Sequence, residues 1–281
     1  MSIECKLCGS EVIENVRFSN FLALTNSNVA VYTCSSCRAS FLIGDLDQEI
    51  YGKNYFGRVG QEYEYAGQSI DNALHYENII KNLLNYASST NALLDLGCGL
   101  GHFLEKAEAS FNKVVGVDAY LEKKDLVTAN AVFLKKALEV SSFNEGEFDV
   151  VTMNHSLEHV DDPSKVLGNV NYYLKPNGIV YIEVPFQYWS FYDKVSSVFK
   201  PKLKADIFSY HHKSFFTPNS LKAFLANNGF EVLRVETFLP LRGRSRFLGL
   251  KGKLLYLFLA FSGLFKKGDF IAIIARKIDN R

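Results

Sequence analysis

Residues 92–118, ALLDLGCGLGHFLEKAEASFNKVVGVD, constrain the fold more than any other stretch of this chain. The apolar run 92–96 has the character of a buried parallel strand. It breaks into Gly97-Cys98-Gly99-Leu100-Gly101 and continues as helix-like sequence from His102. Residues 114–117 read as a second strand, which ends in Asp118. A strand, a glycine turn, a helix and a strand ending in an acid form a nucleotide-binding half-unit. The glycines let the backbone turn tightly and approach a ligand. A carboxylate at Asp118 can accept hydrogen bonds from both hydroxyls of a ribose.

The spacing selects among nucleotides. A dinucleotide fingerprint reads G-x-G-x-x-G, whereas this loop reads G-x-G-x-G with Asp95 two residues ahead of it. An acid beside the turn suits a cationic ligand, one carrying an amino group and a sulfonium, better than a pyrophosphate. The loop resembles motif I of the class I S-adenosylmethionine (SAM) methyltransferases. A second match follows in the order FDVV, LEH, DP and LKPNG between residues 148 and 178. The resemblance covers about residues 70–236. It implies a Rossmann-like α/β fold with a seven-stranded sheet. It also implies SAM contacts from Asp95, Gly97, Cys98, Gly99, Gly101, Asp118, Ala119, Ala137, Leu138 and Asn154. Glu139 is the candidate acid for the adenine amino group.

Four of the five cysteines fall in two C-x-x-C units, Cys5/Cys8 and Cys34/Cys37. Each unit places two sulfurs on one tight turn, and two such turns can supply a closed tetrahedral thiolate site. No apolar leader is read in MSIECKLCGS. That points to metal ligands in a reducing cytoplasm rather than disulfides. Residues 1–45 look like a zinc ribbon, stabilised by its Zn2+ because so short a segment buries little apolar surface. Residues 46–70 form an aromatic linker or lid with Tyr51, Tyr55 and Phe56. Residues 71–281 are the SAM-dependent methyltransferase domain, with insertions near 186–213 and 239–268.

Within that domain, apolar spacing predicts a helix over 71–89 and a polar helix over 121–130. Strands are expected near 131–134, 148–154, 178–185, 231–236 and 269–277. Residues 163–174 and 217–226 read as helices, each opened by a proline in its first turn. The first insertion is rich in Phe, Tyr and Trp and is read as substrate-facing. In the second, Arg242–Lys253 is basic and is followed by LLYLFLAFSGLF. That apolar run is too short to span a bilayer. A helix over 247–267 packed on the sheet or on a subunit partner is the plainer reading, with peripheral contact at an inner membrane as the alternative.

The histidines carry the chemistry. His155, Glu158 and His159 stand three and four residues apart at the end of a predicted strand, where an open α/β sheet places its ligand crevice. The H-x-x-E-H run resembles the E-x-x-E-H element of metal-dependent methyltransferases, among them the ubiquinone-pathway O-methyltransferases. In those families a downstream histidine completes the set, and His212 in HHKSFFTPNSL fits that place. His155 replaces the first acid, so zinc, iron or manganese suits a second metal at His155/Glu158/His159/His212 better than magnesium. Without metal, His159 or His212 can act as general base, with Glu158 orienting it.

The expected function is methyl transfer from SAM to a small-molecule acceptor. The N-terminal ribbon and the Y-x-x-x-Y-F segment resemble bacterial glycan- and sugar-modifying methyltransferases, which implies O- or C-methylation of a sugar or surface glycan. Two alternatives stay open, an RNA methyltransferase and a non-catalytic SAM-binding protein. A net charge of +1 argues against nucleic acid. The intact glycine loop argues against lost cofactor binding.

Overall fold

The structure is a computed structural model that describes residues 4–14, 29–44, 65–121, 123–186, 212–238 and 270–279. In chain order the N-terminal strands are β1 (Val12–Glu14), β2 (Val29–Cys34) and β3 (Ser40–Gly44). Helix α1 (Tyr65–Leu84) precedes β4 (Ala92–Leu96), and α2 (His102–Ala107) precedes β5 (Lys113–Asp118). Then come β6 (Val132–Lys135), β7 (Phe148–Asn154), α3 (Pro163–Tyr173) and β8 (Leu174–Pro185). The chain closes with β9 (Ser214–Phe215), α4 (Pro218–Asn227), β10 (Phe230–Phe238) and β11 (Phe270–Lys277).

Seven strands form one sheet in the order β10-β11-β8-β7-β4-β5-β6. β8, β7, β4, β5 and β6 run parallel, and β11 is antiparallel to both β8 and β10. The order reverses between β4 and its neighbours β5 and β7, the switch point where open α/β sheets bind ligands at the strands' carboxyl ends. Every residue of β4 is buried, as a strand covered on both faces requires. Leu94 and Leu96 share a core with α3, α4 and the N-terminal residues Leu7 and Phe41, whereas Leu93 packs with Ile79, Leu83 and Phe103 on the other face.

β1, β2 and β3 build a second, antiparallel sheet whose fourth strand is β9. The pairing is Ser40 with Phe215 and Phe41 with Ser214. The cysteine module therefore borrows a strand from residues far downstream and shares its apolar core with the larger domain.

Two expectations change. The first helix starts at Tyr65, inside the stretch read as a linker; residues 46–64 of that stretch lie outside the described residues. The helix expected over 121–130 is only a short 3-10 turn, Lys123–Asp125. Its polar side chains prefer local backbone and loop partners. The Thr128 hydroxyl accepts from the Asn130 amide at 3.2 Å, and the Val127 amide donates to the Leu100 carbonyl at 2.9 Å. Residues 187–211 and 239–269, with the aromatic stretch, Arg242–Lys253 and the apolar run, lie outside the described residues. Among the described residues, no helix is long and apolar enough to cross a membrane.

The lower end of the sheet is tied by Asp149. Its carboxylate accepts from the Ala92 amide at 2.8 Å and from Lys175 Nζ at 2.9 Å. Asp149→Ala leaves a buried amide without a partner, which costs about 1–3 kcal/mol. A lower urea midpoint with unchanged cofactor affinity is the expected result, because this end of the sheet is remote from the glycine loop.

Candidate active site

The donor side is built by the glycine turn between β4 and α2. Gly97, Gly99 and Gly101 all have positive φ (84°, 51° and 80°). A β-carbon on Gly99 would meet nothing within 4 Å among the described residues, which leaves that face of the loop room for a ligand. One on Gly97 would lie 2.4 Å from Ser156 Cβ, so only glycine fits there. At the end of β5, Asp118 accepts from the amides of Gly99 (3.2 Å), Tyr120 (2.9 Å) and Leu121 (3.3 Å). A carboxylate has roughly four acceptor sites, so one remains for a ligand before the loop shifts.

Asp95 lies beneath the loop, 2% exposed, and accepts from the Thr152 hydroxyl at 2.7 Å. Burial pushes its pKa up to about 7; the Thr152 bond pulls the other way, and the Asp118 charge adds to the rise. Cys98 is buried beside Gly116, and burial raises its thiol pKa.

The histidine cluster begins at the end of β7, on the other side of the switch point. β7 ends in Asn154, and His155 turns the chain with φ 55°, a left-handed conformation rare for a residue with a β-carbon. The His155 amide donates to the Glu183 carbonyl at 2.9 Å. Its ring lies between two buried carboxylates. Nδ1 is 3.5 Å from Glu158 Oε1, and Nε2 is 3.0 Å from Glu183 Oε1. Glu183 also meets His75 Nε2 at 3.0 Å and accepts from the Tyr181 hydroxyl at 2.5 Å.

Glu158 is 1% exposed and sits under three imidazoles: His155, His159 at 3.8 Å and His212 at 3.9 Å. Burial works against its charge, yet the His155 contact and the His159 and His212 rings outweigh it and hold the pKa at about 2. His155 shows the converse. Burial lowers its pKa, and the two glutamates more than reverse that, to about 9. The His159 and His212 rings pack edge to face with centroids 4.7 Å apart.

Donor atoms of Glu158, His159 and His212 lie within 4.8 Å of one another. Both Glu158 oxygens are buried without a hydrogen-bond partner among the described residues. Oxygen and nitrogen donors around a tetrahedral zinc stand roughly 3.4 Å apart, given bonds of about 2.1 Å. The observed spacings are slightly wider, and this donor set can close on an ion. His155 is different, since both ring nitrogens already face carboxylates.

The four cysteines also converge. Cys5 Sγ is 3.7 Å from Cys37 Sγ, Cys8 Sγ is 3.5 Å from Cys34 Sγ, and all four sulfurs lie within 4.8 Å. Thiolates on one tetrahedral zinc stand roughly 3.8 Å apart, so the group has the size of a metal site. Amides of Leu7 and Cys37 donate to the sulfurs of Cys5 and Cys34. Those bonds stabilise thiolates.

Of the residues singled out in the sequence, Asp95, Gly97, Cys98, Gly99, Gly101, Asp118 and Ala119 line or underlie one loop. Asn154 joins them at the end of β7, and its buried Oδ1 has no hydrogen-bond partner among the described residues. Ala137 is exposed and Leu138 is buried in the core, so Leu138 has only its backbone to offer. Glu139 Oε1 accepts from the Asp161 amide at 3.0 Å, which ties it to the acceptor loop. Sequence reasoning did not single out Thr152, Ser156 or Glu183, and it read His75 as a surface or core residue. Only the acid in the otherwise apolar run of β8 marked Glu183.

Comparisons with known proteins bear on the family and the fold. Residues 71–235, more than half of the chain, match the family described as "Methyltransferase domain". A ubiquinone biosynthesis O-methyltransferase of Nitrosococcus oceani is 33% identical over 132 residues, 43% of this chain and 53% of that protein. The mitochondrial enzyme of the same name from Dictyostelium discoideum is 22% identical over 180 residues, 57% of this chain and 56% of its own length. The chain thus spans little more than half of these curated relatives. Among solved structures, one of a Haloferax volcanii methyltransferase complexed with the Trm112 activator aligns with TM-score 0.57 at 13% identity, covering 83% of this chain and 100% of that one. A SAM-dependent methyltransferase from Archaeoglobus fulgidus aligns with TM-score 0.53 at 20% identity, covering 76% and 100%.

The raised pKa of Asp95 sets a pH dependence. Below about pH 7 the group is protonated, and a cationic ligand that favours the carboxylate must displace that proton. SAM affinity measured by calorimetry is expected to fall roughly tenfold between pH 8 and pH 6, one pKa unit on either side of the midpoint. Asp95→Asn is expected to flatten that dependence.

Proposed function

We infer the chemistry from one premise: the chain belongs to the methyltransferase domain family, which it matches over residues 71–235. The reading is SAM-dependent transfer of a methyl group to a hydroxyl oxygen of a small-molecule acceptor. The observation that carries it is the cluster of Glu158, His159 and His212 at the loop after β7, whose Ser156 abuts Gly97 of the glycine loop. Methyl transfer from a sulfonium is an in-line displacement, so the protein must align the acceptor and take up its proton. His212 and His159 are the groups for that proton, and buried ionised Glu158 stabilises the imidazolium that forms. Asp95, Asp118 and the glycine loop hold the donor on the other side of the crevice.

Oxygen as the acceptor atom is supported by the O-methyltransferase names of the relatives. The finer acceptor class is a sugar or glycan hydroxyl, which rests on the sequence resemblance and the aromatic stretch before His212. Zinc is assigned to Cys5, Cys8, Cys34 and Cys37 as a structural ion, since four thiolates close its coordination. A second reading of the same acceptor site is favoured by the Glu158 oxygens, which have no hydrogen-bond partner among the described residues. Glu158, His159 and His212 would hold a divalent ion that, when bound, polarises the acceptor hydroxyl. Metal analysis separates the two, with one ion per chain for the cysteines alone and two for both groups.

His212→Ala is expected to lower turnover at least about 100-fold, the lower end for loss of a general acid–base group. The Kd for SAM should stay within about threefold, because the donor side is left intact. Wild-type turnover in that variant removes His212 from the mechanism. Methyl transfer from labelled SAM to nucleotide sugars and glycans is the expected outcome on a mixed acceptor panel. Labelling confined to phenols would replace the sugar assignment, and labelling of RNA would overturn the small-molecule reading.

A further inference from the structure

We propose that the N-terminal cysteine module positions His212, by extending its sheet onto the segment that carries this histidine. The metal arm of the proposal rests on the zinc assignment above; the pairing arm does not.

The peptide unit next to His212 is a bridge. The Lys213 carbonyl accepts from the Leu42 amide of β3 at 3.0 Å, and the Lys213 amide donates to the Glu158 carbonyl at 2.8 Å. One residue thus joins the module to the backbone of Glu158, whose carboxylate lies under the imidazoles. β3 continues the pairing through Ser40 and Phe41 to Phe215 and Ser214. The Thr217 hydroxyl, which caps α4, also reaches the Cys37 carbonyl at 3.4 Å. Cys37 is itself one of the four clustered cysteines.

The other acceptor loop is held by the same module. Lys6, between Cys5 and Cys8, donates from Nζ to the Asp161 carbonyl at 2.9 Å, and its own carbonyl accepts from the Ser164 hydroxyl at 2.8 Å. Lys213 Nζ meets Asp161 Oδ1 at 2.7 Å. Both C-x-x-C turns therefore abut the segments carrying His159 and His212, and none of these bonds reaches the glycine loop.

A two-residue strand such as β9 has little stability of its own and takes its conformation from its partner. β3 is short as well. Its hairpin with β2 begins at Cys34, and the C-x-x-C turn Cys34–Cys37 lies in the loop between them. An ion on the cysteines fixes that turn, the turn fixes β3, and β3 fixes Lys213. Loss of the ion should loosen the acceptor histidines while the donor pocket, made by β4, β5 and β7, stays formed.

The test uses the full chain and needs no acceptor. Three readouts are taken: carbethoxylation of His212 by diethyl pyrocarbonate, hydrogen exchange in residues 212–217, and the Kd for S-adenosylhomocysteine. Cys8→Ser is expected to lose one metal equivalent, label His212 at least tenfold faster and lose exchange protection at Lys213. Its Kd should stay within threefold. Cys8→His keeps a ligand on the turn and is expected to restore the metal and slow labelling, a rescue that a purely steric role for Cys8 would not give.

Leu42→Pro removes the amide that binds the Lys213 carbonyl and leaves all four cysteines. It is expected to speed His212 labelling with metal content and Kd retained, and it remains decisive if Cys8→Ser does not fold. Wild-type labelling and exchange in Leu42→Pro, or in metal-free Cys8→Ser, would overturn the proposal. A wild-type protein without metal at the cysteines would remove the zinc assignment and leave the Leu42→Pro result to decide the pairing.

Discussion

The contact between Gly97 and Ser156 governs how donor and acceptor meet. No side chain fits at Gly97, because Ser156 Cβ occupies the space a β-carbon would need. The Ser156 hydroxyl donates to the Leu96 carbonyl at 2.6 Å and fixes the approach. The loop that follows β4 and the loop that follows β7 are therefore in direct contact, with no room for a side chain at Gly97. Parallel pairing of the two strands sets up this contact, with Asp95 opposite Thr152 in register. Placing two reactants in adjoining loops of one sheet removes most of their relative freedom before chemistry begins.

Three buried carboxylates around this contact reach different protonation states by the same rules. Asp95 has a single hydroxyl donor and an acidic neighbour, so burial wins and its pKa rises. Glu158 and Glu183 are buried as deeply, yet imidazoles surround them and both stay ionised. His155 touches both. Its left-handed backbone is explained by that position, since the turn brings one ring between two acids on different strands. A buried charge needs such compensation. Environments that push like groups apart in this way mark acid and base roles.

The donor half was legible in the sequence because its signals are local. Strand, glycine turn, helix and terminal acid follow one another within residues 92–118, and each has its own composition. The two C-x-x-C turns were legible for the same reason. The acceptor half was legible only in part. His155, Glu158 and His159 could be picked out by spacing, and His212 by resemblance, but not the bonds that join them. Ser214 and Phe215 form a strand too short for any periodicity, paired with residues more than 170 positions earlier. His75 sits in a helix whose pattern marks it only as surface or core, and its partner Glu183 is 108 residues away. The segment 121–130 misled because charged residues favour helix weakly, while Thr128 and Asn130 found loop partners instead.

This difference in legibility follows from how each half is held. The donor pocket is a contiguous piece of chain whose strands are buried on both faces, so its geometry comes with the sheet. The acceptor pocket joins a loop after β7, a segment before α4 and a module from the other end of the chain. A shared apolar core and backbone hydrogen bonds between short strands carry these joins, and the exposed ion pairs contribute little. Such a pocket can change its acceptor through the loops and the module without disturbing the cofactor loop. Sites grafted on a constant scaffold have that separation.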